Sequence, residues 1–393
     1  MAKKTLRNFS DSVMVRISNP HFPLLLAGLL LAGLFGCDST GPADEGGSTI
    51  PPLPEPEVQS FPRWGPDGER ILYYDHGVVA YDSETGRARH DRSREGLWTM
   101  RPDGSDRRQV LAGGSIYGDW SPGGDSLVFE RGGQIYKAAL KDGVVDTSSV
   151  VQLTSKGSNF FPAWSPEGQW IAYDSNAESP TGLIFIWRMQ ATGSQKKRIA
   201  YAPEAGEVRQ PSWAPGGQRV VHYRYGRYEE STAPEIFIMS RSGGDTTRLT
   251  FNKVRDENPR FSPDGEQITF DSDSQIWIMN GDGTDKQQLT EIDERWYAAG
   301  QPDWSPDGNH IVYIGPKHTI WKMTADGSEQ TQLTTRPEWP VGEEDSQNRR
   351  IEQSTTLRTI IDVHTEGPPA EGPLHASRHV RQDTIASPGG THW

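Results

Sequence analysis

Pro302-Asp303-Trp304-Ser305-Pro306-Asp307-Gly308 decides the fold, because the stretch recurs. Related segments surround Trp64, Trp120, Trp164, Trp213 and Phe261, and successive central aromatics lie 56, 44, 49, 48 and 43 residues apart. Self-similarity at this period marks a repeat architecture rather than two or three unlike domains. Behind each copy comes a short β-rich run, at 71–74, 127–129, 171–173, 220–223, 268–270 and 311–313. A third run follows, in most copies aliphatic, aromatic, any residue, then Met, as in Ile186-Trp187-Arg188-Met189 and Ile276-Trp277-Ile278-Met279. Asp103-Gly104, Asp142-Gly143, Asp282-Gly283 and Asp326-Gly327 suit turns that need positive φ. Fourth strands are expected at 151–154, 248–250, 288–290 and 332–334. Four strands per unit and six units predict an all-β chain, a six-bladed β-propeller of four-stranded blades. A lone blade cannot cover both of its faces, so the units must close on one another, and the repeated Trp residues read as wedges between blades.

Composition agrees. Only 33% of residues are hydrophobic while Gly and Pro number 42 and 29, which excludes a multi-span membrane protein. Thirteen Trp, twelve Tyr and twelve Phe exclude a chain disordered throughout. The net charge of -13 argues against nucleic acid as a partner. One cysteine, Cys37, allows no intrachain disulfide.

The amino terminus reads as an address. Residues 24–35 are all Leu, Ala, Gly or Phe, a run of twelve that is too short to span a bilayer. Arg16 and His21 precede it, and Met14 offers a second start. Leu34-Phe35-Gly36-Cys37 resembles the bacterial lipobox, with Phe35 a departure from it. That resemblance implies a lipoprotein signal peptide over 1–36 and an acylated Cys37 that anchors the chain to a lipid bilayer. Residues 37–57 then form a lipidated tether, 58–336 the propeller, and 337–393, which lose the repeat and carry Gly367-Pro368-Pro369, a mostly disordered tail.

Together, the Trp-Ser-Pro-Asp-Gly turn, the Ile-aromatic-x-Met strand and the Leu-Thr strand resemble the TolB-type propeller repeat over 58–336. The repeat type implies the fold and not a function, since it occurs in periplasmic TolB, in the propeller halves of prolyl-oligopeptidase-like peptidases and in many lipoproteins alike. TolB carries an α/β domain before its propeller, and here only residues 38–57 intervene between Cys37 and the repeats.

Two classes compete: a non-catalytic binding scaffold of the cell envelope, facing the periplasm or exterior, and a propeller-based enzyme or accessory propeller of a peptidase system. No G-x-S-x-G elbow and no H-E-x-x-H occurs, and the ten histidines show no paired metal-ligand spacing, so no catalytic residue, metal or cofactor is assigned. A saccharide lyase or hydrolase using channel carboxylates is the alternative. For the scaffold, the expected partner is an envelope protein or peptide. From motif aromatic to third-strand aromatic the gaps are 34, 16, 23, 24, 16 and 17 residues, so blades 1, 3 and 4 carry extended loops. These share a face with the blade-to-blade connections. Candidate binding residues are Arg224, Tyr225, Arg227 and Tyr228 from blade 4, and Phe161, Arg255, Trp296 and Tyr297 from expected connections, where Tyr117 and Phe160 also fall. For the blade 4 segment, an exposed hairpin of ordinary β-formers is the competing reading.

Overall fold

A computed structural model describes residues 58–82, 87–200, 206–226, 232–292 and 299–338. Six antiparallel sheets follow one another, each with its strands hydrogen-bonded in chain order from the innermost outward. Blade 1 holds Gln59–Trp64, Ile71–Asp75, Gly96–Met100 and Arg108–Ala112. Blade 6 holds Gly300–Trp304, His310–Gly315, Thr319–Thr324 and Thr331–Gln332. Among the described residues there is no α-helix. The chain is an all-β six-bladed propeller, as its repeat predicts.

The turn motif earns its residues. In blade 6, Ser305 N donates to His310 O and Gly308 N to Ser305 O, both at 2.9 Å, and His310 N donates to Ser305 Oγ at 2.9 Å. One buried serine thereby closes the turn from both sides, and Gly308 at φ +72 supplies the left-handed step. The Leu-Thr pair has a different role from the one expected. Ladder pairing in the fourth strands ends two residues earlier, at Gln152, Arg248, Gln288 and Gln332, before the Leu-Thr pair. The leucine then turns inward, and the threonine hydroxyl accepts the next third-strand N–H. Ile135, Ile236, Ile276 and Ile320 donate to Thr154, Thr250, Thr290 and Thr334 Oγ1 at 2.8 to 2.9 Å. The last rung of these sheets is a side chain.

The core lies between blades. Leu72 and Leu97 of blade 1 cluster with Leu127 and Phe129 of blade 2, and Val221 and Tyr223 of blade 4 with Ile268 and Phe270 of blade 5. Each sheet is covered on both faces, which is why Ile186 and Met189, three apart and on opposite faces of one strand, are both fully buried. Among the described residues the ring closes without exchanging a strand between its ends. Ile71, Tyr73 and Met100 of blade 1 pack against Val312, Ile314 and Leu333 of blade 6. Thr334 Oγ1 donates to Gln59 Oε1 at 3.0 Å, and Arg107 donates to Leu333 O at 2.5 Å.

One long gap and one fourth strand differ from expectation. In blade 1 the insertion is a separate hairpin, Val78–Asp82 with Arg87–His90. Its Tyr81 bridges Glu338 in parallel and carries the Arg336 guanidinium 4.3 Å from its ring centre. Blade 2 replaces a single fourth strand by Val144–Val145 and Val151–Gln152, with a 3-10 turn between them. The expected signal peptide, Cys37 and tether, and tail residues 339–393, lie outside the described residues.

Candidate functional site at the channel mouth

First strands line the central channel, and they begin on the face where blade-to-blade connections and second-to-third turns emerge. Each first strand carries a β-bulge in its middle. At the bulge stand Phe61, Tyr117, Phe161, Gln210, Asn258 and Gln301, all at φ between +49 and +58. Proline follows in five blades, where the bulge tolerates a residue without an N–H. Blade 2 has Gly118 instead, because a Cβ there would meet Leu72 Cδ2 at 2.9 Å. Left-handed backbone at non-glycine residues costs of order 1 to 3 kcal/mol and often marks ligand sites. Here it recurs in all six blades, so the strain belongs to the repeat, and residue identity carries the functional information.

That identity is divided. Blades 1 to 3 present aromatics and blades 4 to 6 present amides. Tyr117 and Phe161 lie 3.9 Å apart between ring centres, and Phe61 meets them edge-on at 4.6 and 5.4 Å. All three rings are half-buried, and the cavity beneath them, walled by Gln210, Arg63 and Arg260, is only about 10 Å³. Opposite them, Gln301 Oε1 accepts from Phe61 N at 2.6 Å and Asn258 Nδ2 donates to Asp271 Oδ2 at 3.1 Å. Gln210 Oε1 is buried without a partner among the described residues.

Two residues beyond each bulge lies a second ring: Arg63, Asp119, Ala163, Ser212, Arg260 and Asp303. Its charges cancel. Asp119 Oδ2 accepts Trp164 N at 2.7 Å and Asp303 Oδ2 accepts Trp64 N at 2.8 Å, so each carboxylate latches the next blade. Burial lifts the Asp119 carboxyl to about 6 against the pull of that N–H and of Arg260 and Arg63. It raises Asp303 as well. Burial brings Arg63 down to about 9, with Arg260 adding to the fall, which leaves it cationic at neutral pH. Two second-strand carboxyls latch the bulges themselves: Asp174 accepts Gln210 N at 2.9 Å and Asp271 accepts Gln301 N at 3.4 Å. Burial pushes Asp174 well up and Asp271 to about 8.

Among the residues expected to bind, Phe161 stands in the aromatic half of the mouth. Phe161, Phe160 and Tyr117 sit in first strands rather than in loops, because the strand begins before the bulge. Tyr225 and Arg255 come together on the rim. Arg255 Nη2 donates to Glu257 Oε1 at 2.8 Å and to the Tyr225 hydroxyl at 3.1 Å, while that hydroxyl donates to Glu257 at 2.8 Å. Tyr225 also packs on the core between blades 4 and 5, so it is half structural. Arg224 lies with its guanidinium 5.3 Å from the Phe237 ring centre, on the outer part of blade 4. Arg227, Tyr228, Trp296 and Tyr297 lie outside the described residues. Sequence reading passed over Phe61 and the three amides, although aligning the six copies on the residue before Pro-x-Trp would have put them in one column.

One pair of a type suited to catalysis is poorly placed. Ser60 Oγ lies 2.9 Å from His76 Nε2, but Ser60 is only 2% exposed, beside the seam of blades 1 and 6. Among the described residues no cluster of three His, Cys, Asp or Glu could hold a metal ion.

Comparison with known proteins agrees with this architecture. The family model described as the TolB beta propeller domain matches residues 161–338. An uncharacterized protein of Agrobacterium fabrum is 25% identical over 292 residues, 66% of this chain and 85% of its own length. The Tol-Pal system protein TolB of Francisella tularensis is 26% identical over 190 residues, 47% of this chain and 42% of its own. An uncharacterized peptidase, YuxL of Bacillus subtilis, is 32% identical over 112 residues, 27% of this chain and 17% of its own. The chain thus spans less than half the length of the last two.

Proposed function

We propose, from the premise that this chain is a TolB-type six-bladed propeller, that it is a non-catalytic recognition scaffold of the bacterial cell envelope whose channel mouth receives the partner. The observation that carries this reading is the divided bulge ring. Six positions equivalent in backbone and packing bear aromatics on one side and amides on the other, an asymmetry the fold does not require. Arg255 and Tyr225 extend the same face outward with residue types that dominate protein interfaces.

Anchoring fits the same orientation. Residue 58 leads into the channel-lining strand of blade 1 on the mouth face. Acylation of Cys37 would hold that face within about 70 Å of the bilayer, the limit for twenty extended residues. A membrane-proximal partner, an envelope protein or peptide, is the expected occupant. The test is capture from solubilised envelopes by the lipidated protein. Phe61→Asn with Phe161→Gln should abolish capture of a partner that the wild type retains; equal capture by both rejects the mouth as the binding face. The 112-residue likeness to a peptidase supports a second reading, an accessory propeller that delivers peptides to a peptidase. Co-purification of peptidase activity with the wild type alone would favour it.

A further inference from the structure

We infer that the channel mouth binds a neutral saccharide, a pyranose ring laid on Phe61, Tyr117 and Phe161 and hydrogen-bonded by Gln210, Asn258 and Gln301. The inference rests on the mouth being the recognition face and names the chemistry of its ligand. A pyranose has faces of C–H groups and an edge of hydroxyls, and each hydroxyl both donates and accepts. The mouth has the complementary division. Three half-buried rings converge within 5.4 Å of one another on one side of the axis. On the other side, the amide atoms not engaged within the fold include an acceptor, Asn258 Oδ1, and a donor, Gln301 Nε2, while Gln210 Oε1 is buried and unpartnered beside the rings. Amides rather than charges face the ligand, and the ring behind them balances Arg63 and Arg260 against Asp119 and Asp303, so nothing selects for an ion.

The repeat itself supplies variants that should fold. Asn occupies the left-handed bulge in blade 5 and Gln in blades 4 and 6, so Phe61→Asn and Phe161→Gln retain a residue type the geometry accepts. The full chain is titrated calorimetrically with chitotetraose and co-sedimented with purified peptidoglycan sacculi, which separates a free oligosaccharide from a wall glycan as the source. Wild type should bind at least one. Each aromatic substitution should weaken binding about tenfold, and Gln210→Ala about fivefold, at unchanged melting temperature. Val151→Thr, on the outer edge of blade 2, should bind as wild type does. Wild type that binds neither probe overturns the inference, as does binding that the three mouth variants leave intact. Partner capture lost in the mouth variants, with no saccharide bound by wild type, rejects the sugar and retains the scaffold. Undiminished partner capture alongside mouth-dependent sugar binding does the reverse.

Discussion

A buried carboxyl or threonine in this propeller acts through the backbone of its neighbour, and this sets what its replacement should do. Asp271, lifted to about 8 by burial with Glu257 adding to the rise, is protonated in the folded protein at neutral pH and ionised in the unfolded chain. Its folded pKa lies above its unfolded one, so its contribution is complete below about 4 and is lost as pH rises through about 8. The melting temperature of Asp271→Asn minus that of wild type should therefore increase from pH 5 to 8 and level off beyond; a flat difference would show that Asp271 is ionised when folded. His222, pushed down to about 4 by burial, works in the opposite direction: its contribution is present above 6.5 and lost as pH falls toward 4. Thr290→Val keeps the shape but leaves the buried Ile276 N–H without an acceptor, which should cost about 1 to 3 kcal/mol in chemical denaturation.

Within a strand, neighbouring positions answer to different demands. The bulge requires a backbone that accepts positive φ and leaves the side chain open, whereas the motif aromatic three residues on must fill the space between blades. Phe161→Gln should leave the melting temperature within about 2 °C of wild type, less than a 1 kcal/mol loss produces in a sizeable domain. Trp213, 8% exposed and donating its indole N–H to Ala163 O at 3.0 Å, joins blades 3 and 4, and its truncation to alanine should cost about 3 to 5 kcal/mol. Trp164 occupies the same wedge but is only half-buried, so Trp164→Ala should cost less than Trp213→Ala. Comparable losses at all three sites would mean that the bulge side chains also hold the ring together.

Across the whole molecule, the weak point is the seam between blades 1 and 6, closed among the described residues by side-chain contacts and the single Tyr81–Glu338 bridge, with no shared strand. Deleting 341–393 should leave the melting temperature unchanged. Deleting from 336 onward should lower it, because Arg336 and Glu338 engage the blade 1 hairpin at Tyr81. If both truncations melt alike, those contacts contribute nothing to closure. Cys37→Ser should release the protein from membranes and remove the acyl mass from its amino-terminal peptide; membrane retention without any acyl mass on the wild type would reject the anchor.

Strand order, blade number and the inter-blade position of the motif Trp residues were readable without coordinates, because they follow from local rules: a turn that needs Ser and Gly, an alternation of buried and open positions, a period near 48 residues. Tyr117, Phe160 and Phe161 could be picked out as large rings near connections, but not Phe61 or the fact that the rings meet. Phe61 and Tyr117 are 56 residues apart in sequence and 4.6 Å apart between ring centres, and Gln301 is 240 residues from the Phe61 amide it accepts. Ring closure alone brings such residues together. The same holds for the charge ring, since Arg63, Asp119, Arg260 and Asp303 read singly as ordinary polar residues and balance only around a common axis. Local sequence determined each blade, and the tertiary structure decided the mouth, because a site built from one residue of every blade exists only once the last blade meets the first.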